Sequence, residues 1–195
     1  MTTPITARDR AKAERSGALL TAAATLFADR GFSGVSLEDI GAAVGVSGPA
    51  VYRHFAGKQA LLGALLVGVS RDLVTGGTAV SDAASGDEDR IRALIRFHVD
   101  FALAHADVIR VQDRDLAHLS DVDRADVRRL QRDYIDLWMT ALAALRSVGT
   151  DELRLRVQAG FGLINSTPHS TRSAARSQAA TAAVLTDMAY AALTA

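Results

Sequence analysis

Residues 31–62 read GFSGVSLEDIGAAVGVSGPAVYRHFAGKQALL, and the spacing within this run decides the fold. Ser36 stands where a hydroxyl can cap a helix. Glu38 and Asp39 fill the first turn, where carboxylates suit the helix dipole. Leu37, Ile40 and Val44 make a short apolar stripe before Gly45 breaks the helix. Ser47 is placed to cap a second short helix, with Pro49 in its first turn, where a missing N–H costs little. Val51 and Phe55 are its inward positions. After the break at Ala56-Gly57, Lys58 opens a longer helix with Leu61, Leu62, Leu65, Leu66, Val69 and Leu73 on one side. Two short helices joined by a glycine-containing turn are organised as a helix-turn-helix.

Outward from this run the pattern stays helical. Upstream, about Arg8 to Asp29, Leu19, Ala22, Ala23, Leu26 and Phe27 recur at helical steps, and Gly31 ends the helix. Residues 76–89, GGTAVSDAASGDED, are small and polar and are expected to form a loop. Ile91, Leu94, Ile95, His98, Phe101, Ala102 and His105 form the next stripe, followed by a short segment near 107–119. A long helix from about Val122 to Ser147 carries Val127, Leu130, Tyr134 and Trp138. Another begins at Thr150 and should stop at Pro168, and Ser173 to Thr194 reads as the last helix. No strand pattern occurs. The fold class is therefore all-α, with about nine helices: a three-helix head at 1–57 and a helical body at 58–195.

Composition narrows the function. With no cysteine among 195 residues, disulfides, thiolate metal sites and cysteine nucleophiles are excluded. The polar N-terminus lacks an apolar signal-peptide core, and no run of about 18 uncharged apolar residues occurs, so a cytoplasmic protein without a membrane span is expected. The net charge is zero, yet residues 1–58 hold seven basic against five acidic side chains. Twenty-two basic residues include only two lysines, Lys12 and Lys58.

The second helix of the motif offers groups suited to a duplex. Small residues at its start (Ser47, Gly48, Pro49, Ala50) allow close backbone approach. Tyr52 can place a hydroxyl on a phosphate, Arg53 can contact phosphate or guanine, and Lys58 at a helix start suits phosphate. In fixed register, Gly31, Phe32, Ser36, Ile40, Gly45, Val46, Ser47, Val51, Tyr52, His54, Phe55, Lys58 and Leu61 resemble the TetR family pattern, a match over about a third of the chain. Gly41 and Val44 depart from it where alanine is usual, and Gln59 where glutamate is usual.

The resemblance implies a transcription repressor. Ser36, Ser47, Gly48, Pro49, Tyr52, Arg53, His54 and Lys58 would face double-stranded DNA, with Val46, Val51 and Phe55 in the head's core. The last two helices would form a homodimer interface, and the middle helices would enclose a small-molecule effector. Two symmetric heads would then read an inverted-repeat operator.

In the body, Phe97, His98, Phe101, Tyr134, Trp138, Phe161 and Asn165 are inward candidates for the effector site. His98 and His105 lie two turns apart, too far to chelate one ion directly, and read as buried histidines with hydrogen-bond partners. Glu38/Asp39 and Asp113/Asp115 read as capping or solvated charges rather than paired catalytic acids. No phosphate loop, zinc signature or catalytic constellation is present, so neither enzyme chemistry nor a cofactor is expected. The alternative is a helical interaction or small-molecule-binding protein that has lost operator binding.

Overall fold

The computed structural model describes residues 6–170 and 177–195. Among these, every regular element is helical: α1 (Ala7–Arg30), α2 (Leu37–Ala43), α3 (Gly48–Tyr52), α4 (Lys58–Asp82), α5 (Asp87–Ala104), α6 (Ala106–Asp115), a 3-10 turn (Leu116–His118), α7 (Asp121–Ala143), α8 (Thr150–Ser170) and α9 (Gln178–Thr194).

The chain divides into two compact units. The first comprises Met1–Gly68 and Arg110–Ala125. Within it, α1 starts in a capping box between Thr6 and Asp9 and ends where Gly31 adopts a φ of 76°. A second capping box starts α2: the Ser36 N–H donates to Asp39 Oδ2 at 2.8 Å and the Asp39 N–H to Ser36 Oγ at 3.0 Å. Gly45, with a φ of 71°, turns the chain into α3. Gly41 brings α2 and α3 together, because a Cβ there would stand 2.8 Å from the Val46 carbonyl oxygen and 3.0 Å from Val51 Cγ2. Leu19, Phe27, Ile40, Val51, Leu61, Leu62 and Leu66 are fully buried, whereas Val44 and Val46 are half-buried. Although Ser47 occupies the position before α3, its side chain makes no capping hydrogen bond, contrary to the sequence expectation.

The 110–125 segment is built into this unit. The Arg114 guanidinium donates to the carbonyls of Phe27 and Ala28, capping the C-terminal end of α1, and pairs with Asp115 at 3.0 Å. Asp115 is buried, where a solvated charge was expected. The His118 ring stacks on Phe32 at 4.6 Å, and Gln59 donates to the His118 carbonyl at 3.0 Å.

The second unit comprises Val69–Ile109 and Asp126–Ala195. Here α5 packs on both α8 and α9, which also pack on each other. Ile91, Leu94, Ile95, Trp138, Leu142, Val157, Ile164 and Leu193 lie in its core. Three expectations are corrected. The loop expected at 76–89 is largely helix, since α4 continues to Asp82 and α5 begins at Asp87. Gly76 and Gly77 are packing positions rather than breaks: a Cβ would meet Phe97 Cζ at 2.4 Å or Tyr134 Cε2 at 2.6 Å. Helix α8 does not stop at Pro168 but runs to Ser170, since a proline in the last turn removes one bond near an end that frays anyway. His105 is exposed, because α5 ends at Ala104 and leaves it as the cap. Part of the expected last helix, at 173–176, lies outside the described residues. Helix α4 is long and apolar enough to cross a membrane by composition, but Leu61, Leu62, Leu65 and Leu66 are buried in the first unit as a core face.

Candidate functional site

The surface around α3 is built by its own brevity. Five residues form the helix, and Arg53 closes it in the αR region, so Ser47 through His54 forms one short ridge with Val51 turned inward. Ser47 leaves its hydroxyl without a capping partner beside Gly48 and Pro49. Tyr52 is 55% exposed, a large aromatic side chain left in solvent. Arg53 is exposed and His54 half-buried, its ring 6.4 Å from that of Phe55, which is buried and anchors the ridge. Glu38 reaches across from α2 and lies against Gly48.

Two of the DNA-facing candidates already have intramolecular work. The Ser36 hydroxyl donates to Asp39 Oδ2 at 2.7 Å within the cap. Those hydrogen bonds hold the Asp39 carboxyl below its usual range. Lys58 Nζ donates to the carbonyls of Phe32 and Val35, both at 2.7 Å, and sits 4.5 Å from the Phe32 ring centre. It ties the 31–36 loop to the start of α4, leaving one of its three N–H donors. Sequence periodicity carries no signal for these long-range partners.

In the second unit, six of the seven effector-site candidates come together. Phe161 stacks parallel to Tyr134 at 5.6 Å and lies 4.7 Å from the His98 ring and 4.9 Å from Trp138. Phe101 is 6.0 Å from His98. The seventh, Phe97, makes none of these ring contacts and instead fills the slot at Gly76.

A polar chain runs through these rings. His98 Nε2 lies 3.1 Å from Asn165 Oδ1, and His98 Nδ1 lies 3.3 Å from the Tyr134 hydroxyl. Burial pushes the His98 pKa down to about 4, against a weaker opposing effect of Asn165, so the ring is neutral at pH 7. An amide oxygen only accepts; Nε2 therefore carries the proton and Nδ1 accepts from Tyr134. Burial raises the Tyr134 phenol, an effect that the nearby Trp138 N–H partly offsets. That indole N–H is itself fully buried and has no partner with hydrogen-bond geometry. The site thus offers apolar rings, neutral groups and one unused donor, with no charged side chain in the chain of hydrogen bonds.

Comparison with known proteins places these features. Residues 19–65 match the family described as "Bacterial regulatory proteins, tetR family". Residues 84–191 match "Tetracyclin repressor-like, C-terminal domain". The HTH-type transcriptional repressor KstR2 of Rhodococcus jostii is 28% identical over 170 residues, covering 86% of this chain and 82% of that protein. A TetR-family transcriptional regulator from Bordetella parapertussis superposes with a TM-score of 0.79 at 22% identity, over 89% of this chain and 93% of that one. The ketosteroid transcriptional regulator KstR2 of Mycobacterium tuberculosis gives 0.78 at 19% identity, over 92% and 93%. The first unit's helix-turn-helix and the repressor-like C-terminal match together mean that the chain belongs to the TetR family of bacterial regulatory proteins, DNA-binding transcription regulators and not enzymes.

Proposed function

We propose that this protein is a one-component repressor that binds an inverted-repeat operator as a homodimer and is released by a small apolar or amphipathic effector. The observation that carries the reading is the ridge of α3. Ser47 keeps a free hydroxyl, and Tyr52 and Arg53 stand in solvent, on a helix whose inner residues Val51 and Phe55 are buried. Phosphate contacts from Tyr52 and the remaining Lys58 donor would set register, and Ser47, Gly48 and Arg53 would read base edges. Two heads in a symmetric dimer would meet major grooves ~34–36 Å apart.

The second copy is supported by the outward sides of α8 and α9. On α8, Leu155 is 66% exposed, with Ala159 and Gly162 on the same side. On α9, Val184 and Met188 are exposed one turn apart, with Ala180, Ala183 and Ala191 exposed beside them. Small and apolar outward residues on two adjacent helices suit a self-complementary seam.

The effector's class follows from the donors. The aromatic cluster would take a ring-shaped or acyl apolar frame, and the unpartnered Trp138 N–H a neutral carbonyl oxygen. A free carboxylate or amine would meet no counter-charge there. The effector would act by its higher affinity for a dimer whose heads are wrongly spaced. This function belongs in the cytoplasm, where the operator is.

The test is selection of genomic fragments by the purified protein at moderate salt, followed by sequencing. An enriched inverted repeat is expected. Salt-sensitive but sequence-blind binding, persisting after the protein is denatured and refolded to remove ligand, would replace this reading with that of an interaction module.

A further inference from the structure

Helix α1 carries a second basic feature that the α3 ridge does not explain. Arg8, Lys12 and Arg15 follow at i, i+4 and i+7, on one face of the helix. They line an open cleft of about 640 Å³ together with Asp9, Ala11, Arg53 and His54. Two elements thus bring four permanent cations and a histidine to one depression. The sole carboxylate in the cleft, Asp9, is committed to the α1 cap, accepting from the Thr6 hydroxyl at 2.7 Å and from its N–H at 3.3 Å.

Among the described residues, no side-chain ion pair ties up the cations of the cleft, and Asp9 acts on Lys12 only through space. Nine ion pairs between Asp87 and Arg156 engage eight arginines. None involves Arg8, Lys12, Arg15 or Arg53. Four cations against one carboxylate, in a protein of zero net charge, give the cleft a local surplus of positive charge. Like charges this close repel one another unless an anion joins them.

We propose that the α1 cleft is a second DNA-backbone site, a phosphate clamp that extends the footprint of the head beyond the recognition ridge. The occupant is duplex DNA because the cleft shares Arg53 and His54 with the exposed ridge of α3, so a strand held by one runs onto the other. Seven residues of α1 span about 10 Å, the axial length of about three phosphates on one strand. Ala11, between the cations, leaves the floor low enough for a sugar-phosphate chain. The clamp contributes affinity and register and reads no bases. It rests on the DNA-binding reading above but adds residues which that reading leaves idle.

The test compares wild type with the triple variant Arg8→Gln, Lys12→Gln, Arg15→Gln on two probes: the selected inverted repeat and a short duplex of arbitrary sequence. All three side chains are exposed, and thermal unfolding checks that the head stays folded. Each lost phosphate contact flattens the dependence of log K on log salt by roughly 0.9, so a loss of about 2–3 for one head is expected on both probes. The preference between the probes should stay unchanged. A control with the same charge change on exposed arginines of the second unit (Arg96→Gln, Arg128→Gln, Arg132→Gln) should keep the wild-type slope. A triple variant with the wild-type slope, a control that loses as much, or a loss confined to the inverted repeat would each overturn the clamp. If wild type shows no salt-dependent DNA binding at all, the repressor reading falls with it. If wild type binds normally and the slope does not move, only the clamp falls.

Discussion

His98 is the residue whose surroundings decide its chemistry most sharply. With a folded pKa of about 4 against an ordinary 6.5, it binds its proton more readily in the unfolded chain than in the folded one. Stability is therefore complete above pH 6.5 and is lost as pH falls through the window from 6.5 to 4. By pH 5 this one group should cost about 2 kcal/mol. Urea unfolding at pH 7 and pH 5 should show that loss in wild type and a smaller one in His98→Gln; parallel losses would mean the ring is solvated. Gly41 is the second instructive residue. It departs from the family's usual alanine, and the structure gives a reason, the close approach of α2 to Val46 and Val51. Gly41→Ala gains about 1 kcal/mol of helix propensity but must push α3 away, at a cost of about 1–3 kcal/mol. A lower melting temperature and weaker DNA binding together are expected. A more stable variant with intact binding would show that the two helices give way freely.

Among the helices, what the sequence revealed and what it hid follow from the range of the forces involved. Helices α1 to α3 were readable because their signals are local: Ser36 with Asp39, Gly31, Gly45 and Pro49 act within a turn of themselves. The 76–89 stretch differs from its local pattern because its glycines act at a distance. Gly76 makes room for Phe97 and Gly77 for Tyr134, partners 21 and 57 residues away. The same limit explains Phe97 and His98, neighbours on α5: an amphipathic stripe shows that both can face inward, not which helix each will meet. Conversely, the aromatic cluster was legible because its members sit at helical spacing on three stripes that had only one interior to share. Two glycine substitutions of opposite sign test this account. Gly76→Ala places a Cβ 2.4 Å from the Phe97 ring and should destabilise by about 1–3 kcal/mol. Gly17→Ala, mid-helix in α1 with nothing within 4 Å, should stabilise by about 0.5–1 kcal/mol. Thermal melts that shift both in the same direction would contradict the packing role.

For the whole protein, assembly is the property least visible in one chain. The alanine-rich end reads equally well as helix propensity or as a seam, and only burial separates its faces. Leu185, Ala189 and Leu193 turn inward, and Tyr190 lies under the Arg92 guanidinium at 3.5 Å, which leaves Val184 and Met188 outside. Met188→Glu should therefore convert the proposed homodimer to monomer in sedimentation while leaving each chain helical by circular dichroism. Operator affinity should fall with it, since one head alone makes half the contacts. An unchanged sedimentation coefficient would move the seam elsewhere. One arrangement also constrains how such a protein can be made and remade. The first unit includes residues 110–125, whose Arg114 closes the end of α1 and whose His118 stacks on Phe32. During synthesis the head cannot complete its packing until the ribosome has passed Ala125, well over half the chain. A chimera that transplants only residues 1–57 onto another regulator leaves both contacts behind, so the transferable cassette is discontinuous and must carry this later segment with it.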